Sequence, residues 1–478
     1  MTPSLVPKLR RATGALAASL IILAAPADAL DPWSTHTRIA PDAATPWTTD
    51  RLPTVPVPPS ATASAARYTL PQLTHLALQL NPQTRAAWAA AQAAAAELGI
   101  ATADYLPSLD INGTATRSRS ATSSGLPLPS QTRYNVNVSV SYLLFDFGAR
   151  GATREAARAN LIAANLEQNQ AIQNVVLAVE QAYYQLLGLQ ALELATEQSL
   201  KTAEANLDAV KRRVAAGLAT VGDVYQVETT VAQARLNLQQ AQGQAAAARG
   251  ALATAVGLAV DNPLALEPWP AQTPVTEVTA VVEQLLEQAR ARRPELIAAQ
   301  ARVQAAHANR RAAAAGGRPT LSLAGSSGRT RFVDQDDFPQ SSVGLTLTVP
   351  LFHGFRTTYE VRQAEADRAA AEAERDRLYY DVQRQVWEAY YNQRTAAATI
   401  GNAQALQRSA RQAAEVARAR YRAGIGTVLE VLSTQTAEAQ ADVQTIQAQL
   451  NWYVGLSQLA HALGTLRPGD DAAPGAKP

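Results

Sequence analysis

The stretch SYLLFDFG at residues 141–148 decides the fold, because it returns as TVPLFHG at residues 348–354. The offset of 207 residues between the two copies recurs far along the chain. It pairs Phe145 with Phe352, Ala182-Tyr183-Tyr184 with Ala389-Tyr390-Tyr391, Gly217 with Gly424, Thr220 with Thr427, Asp223 with Glu430, and Gly257 with Gly464. Self-similarity at a fixed offset over such a distance indicates one large internal duplication.

Upstream of these motifs the offset becomes 212 residues, as between Pro82 and Pro294 or Pro107 and Pro319. The first copy therefore carries five extra residues between Pro107 and Phe145. An insertion confined to one interval, with exact register on both sides, predicts a surface loop there.

Both copies are predicted to contain the same helices in the same order. A short helix ends at a proline, a longer alanine-rich helix follows, and a very long helical stretch comes after two alternating segments. Nearly seventy residues at about 1.5 Å per residue make a rod of about 100 Å, and sparse leucines among alanines are typical of helices that pack along a thin seam. The predicted helices are 70 to 80, 82 to 104, 148 to 216 and 218 to 257 in the first copy, and 278 to 291, 294 to 315, 355 to 423 and 425 to 464 in the second.

Four segments between the helices alternate apolar with polar residues, a period of two that predicts β-strands with unlike faces. Soluble hairpins that pack one face on a core would show the same alternation. Four strands cannot close a membrane barrel, however, and lipid does not tolerate an open sheet edge, so a membrane sheet would have to be shared among copies. Three copies would give twelve strands. The apolar positions are Leu109, Ile111, Ala115, Val136, Val138, Val140, Tyr142, Leu321, Leu323, Val343, Leu345, Leu347 and Val349.

The N-terminus has the layout of a secretory signal. Basic residues at Lys8, Arg10 and Arg11 precede an apolar run at 12–25 and the small-x-small motif at 27–29, which predicts a signal peptide over 1–29. The alternative is a membrane anchor, but the run is shorter than the ~20 residues needed to span a bilayer. Further expected segments are a proline-rich extension at 30–68, a linker at 266–277 and a disordered tail at 467–478.

Composition argues against several classes of function. A net charge of +2 gives no case for a nucleic-acid partner, and the absence of cysteine excludes disulfides and thiolate metal sites. The five histidines lack the spacing of a helical metal pair, and no glycine-rich phosphate loop is present. With no paired acid and base and no nucleophile elbow, we expect no catalytic residues, no metal, no cofactor and no enzyme activity. Without a phosphate loop, any energy that the protein uses would have to come from a partner.

The two junction motifs and the two helical tips, RRVAAGLATVGDV at 212–224 and ARYRAGIGTVLEV at 419–431, resemble those of TolC-like outer-membrane efflux proteins. The resemblance implies a mainly α fold with a transmembrane β portion, duplicated over 69–265 and 278–466. Its β-hairpins would lie at about 107–145 and 319–352. A homotrimer would form a twelve-stranded β-barrel in outer-membrane lipid, continuing into a periplasmic α-helical barrel.

The same resemblance implies the function of a passive exit duct. Such a duct serves a tripartite efflux pump or a type I secretion system, together with a periplasmic adaptor and an inner-membrane pump. Because the pump selects the cargo, the transported substrate is not encoded in this chain.

The family's functional residues can be transferred to this chain only at the tips. The resemblance places adaptor docking at the two turns and a gate beside them. Some members have a gate arginine where this chain has Gly426 and a second acidic ring where it has Ser433, so Arg420 and Arg422 become candidates for the missing charge. The docking residues would be Gly217, Leu218, Thr220, Gly424, Ile425 and Thr427, and the gate residues Asp223, Tyr421 and Glu430.

Other readings remain open for the sequence. A glycine-broken helical hairpin would explain each tip glycine without docking. A periplasmic coiled-coil adaptor would explain export and the helical hairpins, but not two copies of an amphipathic strand pair. A secreted glycan hydrolase would need a convergent polar site, and none is visible.

Overall fold

The computed structural model describes residues 67–466, apart from 120, 122, 126, 128, 269–280, 334 and 335. The expected signal peptide and the expected tail lie outside the described residues, as do most of the proline-rich extension and most of the linker.

Within the described residues the two copies fold into the same order of elements, and the chain is mainly helical as predicted. The helix expected from residue 278 is described from Val282, because 278–280 fall outside the described part. The first copy contains α1 (Leu70–Leu80), α2 (Pro82–Ala103), β1 (Ser108–Ser118), β2 (Gln131–Phe145), α3 (Ala149–Ala215) and α4 (Val221–Val256); the second contains α5 (Val282–Arg292), α6 (Pro294–Ala315), β3 (Thr320–Phe332), β4 (Phe338–Thr348), α7 (Arg356–Arg422) and α8 (Val428–Ala462).

Helices α3 and α7 are rods of 67 residues each, or about 100 Å. Each begins after a left-handed backbone residue, Gly148 with φ 91° and Phe355 with φ 61°. The Asp146 carboxylate accepts hydrogen bonds from the N–H groups of Gly148 (3.2 Å) and Arg150 (2.8 Å) and so satisfies the start of α3. The first half of α3 buries alanines three and four positions apart, which form the predicted thin seam: Ala152, Ala156, Ala159 and Ala163.

Each copy closes on a glycine that packs against the end of its short helix. Gly257 and Gly464 follow α4 and α8 with φ of 90° and 68°. A Cβ at either position would lie 3.0 Å from backbone carbonyl atoms, those of Leu80 or of Arg292. Both positions therefore require glycine, for its left-handed backbone and for the close approach.

The four strands form one antiparallel sheet in the order β1-β2-β3-β4. The strands are 11, 15, 13 and 11 residues long, at or above the ~9 to 11 that cross a bilayer. The fourth strand was expected to reach Val349 but ends at Thr348. Pro350 has no N–H for a ladder hydrogen bond, and it restrains the residue before it.

Register brings the predicted apolar positions of all four strands to one face, which they share with Ser327, Arg329 and Arg331 in the second half of β3. Leu109 pairs with Val140, and Leu323 pairs with Leu345. These apolar side chains lie on the surface of the chain, with exposed fractions of 76% for Ile111 and 83% for Val343. Among the described helices, none combines the length and the apolar character needed to cross a bilayer.

The strands and the helices are arranged side by side in three rows, and in each row the elements of the first copy precede those of the second; this sequence of neighbours is the lateral order of the chain. The sheet runs β1-β2-β3-β4, the helices beside it run α2-α3-α6-α7, and the longer helical hairpins run α4-α3-α8-α7. In the described residues the first copy therefore supplies one edge, and β4 with α7 supplies the other. The main core is formed by residues of α1, α3, α4, α7 and α8, around the fully buried Trp452 and the stacked rings of Tyr184 and Tyr453.

His461, near the end of α8, gives the fold a pH dependence. Its Nε2 lies 2.8 Å from Asn174 Oδ1. Burial, and then the charge of Arg293, lower the pKa of His461 from 6.5 to about 4. The unfolded chain therefore binds more protons than the folded chain between these values, and stability falls as pH falls from 6.5 through 4.

We expect His461→Asn to flatten this loss of stability at low pH, because the variant removes the proton that only the unfolded chain takes up readily. Chemical denaturation midpoints measured at several values between about pH 7.5 and about pH 4 would follow this loss of stability, because the unfolded chain takes up the proton within that range. His75→Asn, at an exposed position of α1, is the matched control and should retain the wild-type slope. Identical slopes for wild type and His461→Asn would contradict the assignment.

Candidate functional site: the paired helical tips

Each long hairpin turns through a left-handed glycine. Gly217 and Gly424 have φ of 73° and 78°. The N–H of Leu218 donates to the carbonyl of Arg213 (2.8 Å), closing the C-terminus of α3, and Ile425 closes α7 in the same way through the carbonyl of Arg420 (3.1 Å). The apolar side chains of Leu218 and Ile425 are 68% and 70% exposed. Each tip thus presents one large apolar side chain at its apex.

Threonines begin the returning helices at both tips, but the acidic residues beside them differ. Thr220 Oγ1 accepts from the N–H of Asp223 (3.3 Å), and the Asp223 carboxylate accepts from the Thr220 N–H (2.8 Å) and hydroxyl (2.9 Å). This is a reciprocal capping box. Thr427 Oγ1 accepts from the N–H of Glu430 (3.2 Å), and no return bond forms. Asp223 is therefore occupied in its own turn, whereas the Glu430 carboxylate is not.

Glu430 lies on an open groove between α7 and α8 at the second tip. Arg420, one of the two candidates for the missing gate charge, lines the same groove. Among the described residues Glu430 has no ion pair within 4 Å, so its exposed carboxylate is available to groups outside this chain. The groove is lined by Ser409, Gln412, Ala413, Val416, Ala417, Arg420, Glu430 and Thr434.

Tyr421 joins the two tips through a residue that the sequence did not single out. The guanidinium carbon of Arg213 lies 4.5 Å from the centre of the Tyr421 ring, and its Nη1 donates to the Tyr421 carbonyl oxygen (3.0 Å). A cation over an aromatic face contributes about 0.5 to 2 kcal/mol. The signal for Arg213 was available, because it is the offset-207 equivalent of Arg420.

Apolar and polar contacts behind this link hold the two hairpins together. The Asn206 amide of the first hairpin donates to Gln435 Oε1 of the second (2.6 Å), and within the second hairpin Arg418 forms an ion pair with Glu438 at 2.8 Å. Partial burial raises the pKa of the Glu438 carboxyl, against the opposing effect of Arg418. The apolar cluster contains Val210, Val227, Val428 and Leu432, with Tyr421 packed against it.

The profile of the family described as "Outer membrane efflux protein" matches residues 73–258 and 285–465, which are most of both copies. The chain belongs to this family. The predicted resemblance is confirmed, and with it the role: an outer membrane efflux protein is a passive exit duct with a long periplasmic helical extension. It is not an enzyme. The periplasmic adaptor and hydrolase readings are excluded.

Similar proteins include other outer membrane efflux proteins. Protein CyaE of Bordetella pertussis is 33% identical over 366 residues, covering 76% of each chain. Outer membrane protein OprJ of Pseudomonas aeruginosa is 27% identical over 405 residues, covering 83% of this chain and 84% of OprJ. The crystal structure of the outer membrane protein VceC of Vibrio cholerae superimposes with a TM-score of 0.73 at 25% identity, covering 83% of this chain and 96% of VceC. The TolC-like channel fold of the chain follows from these matches.

Proposed function

We propose that three copies of this chain join their sheets into a twelve-stranded barrel in the outer membrane, continuing into a periplasmic α-helical barrel. The observation that carries the proposal is the exposed apolar face of the sheet. Burying such a face in lipid stabilises it by about 25 cal/mol per Å². Exposing that apolar face to water costs free energy, so lipid is the environment that suits it.

The free edges of the sheet support a shared barrel. Within the described chain, β1 and β4 each pair on one side only. Unpaired backbone groups in lipid cost several kcal/mol each, so both edges need a neighbour. Pairing β4 of one copy with β1 of the next satisfies them, and three copies close the ring with an even number of strands.

The opposite face of the sheet suits a water-filled lumen. Its side chains bond to one another across the strands: Ser108 with Ser141 (2.8 Å), Asn112 with Ser139 (2.9 Å), and Ser326 with Ser342 (2.8 Å). Small hydroxyl and amide groups line such a passage without forming a tight binding site, consistent with a duct whose cargo is selected elsewhere.

The tips are the proposed docking and gating end. Leu218 and Ile425, with their exposed apolar side chains, would contact a periplasmic adaptor that links the duct to an inner-membrane pump of a tripartite efflux or type I secretion system. The turn residues that shape this surface are Gly217, Thr220, Gly424 and Thr427. We further propose the division into a signal peptide at 1–29, an extension at 30–68, repeats at 69–265 and 278–466 joined by a linker at 266–277, and a tail at 467–478.

The proposed gate consists of Asp223, Tyr421 and Glu430. In a trimer three Glu430 carboxylates would approach one another near the axis, where like charges attract cations. Tyr421 would be held in the closed position by Arg213, and Asp223 would fix the turn from which α4 leaves the tip.

Single-channel recording in planar bilayers tests both the duct and its gate. We expect small, discrete conductances for wild type, a severalfold rise for Arg213→Ala because Tyr421 is released, and weaker block by divalent cations for Glu430→Ala. Lys211→Ala is the control, since Lys211 pairs with Glu228 inside the first hairpin (3.3 Å). Equal conductance and equal block by divalent cations in all four proteins would remove the gate assignment, and failure of the wild type to insert would remove the barrel.

A further inference from the structure

We infer that an aromatic ridge on α7, formed by Tyr380, Trp387 and Tyr391, packs into a groove of small residues on α4 of the next copy of this chain. The contact presupposes the proposed trimer and names the side chains that hold it together. The three ridge residues are 68%, 50% and 42% exposed. Large aromatic side chains gathered on one exposed helical face mark a surface that a partner covers.

The internal duplication identifies the partner. Within one chain α3 packs against α8. At the offset of 207 residues, α7 is the equivalent of α3 and α4 is the equivalent of α8, so the same contact should exist between α7 and α4. Among the described residues of one chain α7 does not pack against α4, because the two helices lie at opposite edges of the lateral order. Closing a ring of copies brings the two edges together and completes the missing contact.

The contact between α3 and α8 shows which positions meet. Glu180 hydrogen-bonds to Ser457, and the rings of Tyr184 and Tyr453 stack with centroids 4.8 Å apart. Gly188 lies against Leu450, where an added Cβ would come within 3.3 Å. The equivalent pairs between copies are Trp387 with Gly250, Tyr391 with Ala246, and Thr395 with Gly243.

In two of the equivalent pairs between copies, the side chain on α7 is larger than its counterpart on α3, and the residue on α4 is smaller than its counterpart on α8. A glutamate of α3 faces a serine of α8, and the equivalent tryptophan of α7 would face a glycine of α4. A glycine of α3 faces a leucine of α8, and the equivalent threonine of α7 would face a glycine of α4. Such compensation keeps an interface filled at native density. The sequence of α4 is thus fitted to that of α7 although the two helices do not touch within one chain.

The groove itself is open. An added Cβ at Gly243 would meet nothing within 4 Å, and Val260 lies beside Gly250, at 3.0 Å from the position of its missing Cβ, where it can form a wall. The groove residues recur three and four positions apart and so share one face of α4. They are Gly243, Ala246, Ala247, Gly250, Ala251 and Thr254, all exposed except the half-buried Gly250.

Disulfide trapping tests the contact cleanly, because the chain has no cysteine of its own. The double variant Tyr391→Cys with Ala246→Cys, purified in detergent and treated with a mild oxidant, should shift on non-reducing gels from monomer to covalent trimer, and reduction should reverse the shift. A disulfide requires Cα atoms within about 4.4 to 6.8 Å. Tyr391→Cys with Gln244→Cys, which places the second thiol on the opposite side of α4, is the control, and so is each single variant.

A covalent trimer from the first pair alone supports the contact. If the protein has the native mass of a trimer but the two pairs cross-link equally or not at all, the contact is wrong while the proposed duct stands. A monomeric wild type in the same detergent would overturn both.

Discussion

Leu345→Arg should abolish assembly in the outer membrane, whereas Thr346→Arg, one residue along the same strand, should leave assembly intact. Leu345 pairs with Leu323 on the apolar face, and its side chain is 66% exposed in the single chain. An arginine facing lipid near the bilayer midplane costs about 2 to 4 kcal/mol, and a trimer incurs that cost three times. Thr346 pairs with Ser322 on the polar face, where an arginine stays in contact with water.

The measurement is fractionation of outer membranes followed by gels with and without heating, which distinguish the trimer from the monomer. The two variants carry the same added charge and nearly the same position in sequence, so only the side of the sheet differs. If both variants assemble, the apolar face does not meet lipid. If neither assembles, the polar face is not a lumen.

Gly464→Ala should lower the free energy of unfolding by about 2 to 5 kcal/mol. A left-handed backbone costs a residue with a Cβ about 1 to 2 kcal/mol, and a backbone clash adds about 1 to 3 kcal/mol. Both apply here, because Gly464 has φ of 68° and its missing Cβ would lie 3.0 Å from the carbonyl of Arg292. The backbone of Arg292 cannot yield without moving the end of α5.

Gly401→Ala is the matched control for this prediction, and its effect should have the opposite sign. Gly401 lies inside α7 with nothing within 4 Å of an added Cβ, so alanine should stabilise the helix by about 0.5 to 1 kcal/mol. Thermal melting of the purified protein, followed by far-ultraviolet circular dichroism, compares the two variants with wild type. A stable Gly464→Ala protein would show that α5 does not hold the end of the repeat in place.

Most of the fold could be predicted from the sequence because residues with special backbone requirements mark where its helices end. The long helices α3 and α7 begin and end within one residue of their predicted limits, since glycine at 217 and at 424 stops each helix where only a left-handed residue fits. The strands were predictable because apolar and polar residues alternate along β2 and β4, whereas in β3 only Leu321 and Leu323 carry the pattern. The fourth strand was predicted one residue too long because the alternation continues up to Pro350, beyond the last ladder bond.

The details of the tips could not be predicted in the same way. Arg213 and Tyr421 lie 208 residues apart, and only the folded chain shows that two hairpins bring them together. Asp223 and Glu430 are equivalent in the duplication, yet only the capping box at Thr220 closes on itself. These distinctions depend on side-chain reach and not on residue type. The roles of Asp223, Tyr421 and Glu430 in a gate stay predictions.

The unbroken length of α3 and α7 has a mechanical consequence. Neither rod contains proline, the commonest cause of a sharp bend in a helix, so each resists flexing along its length and transmits torque from one end to the other. A displacement at the tip would then require either a change of backbone conformation at Gly148 and Phe355, which precede the two rods next to the sheet, or sliding of one rod past its neighbour. The duct would open by rigid-body movement of whole helices and not by bending of the helices near their middle.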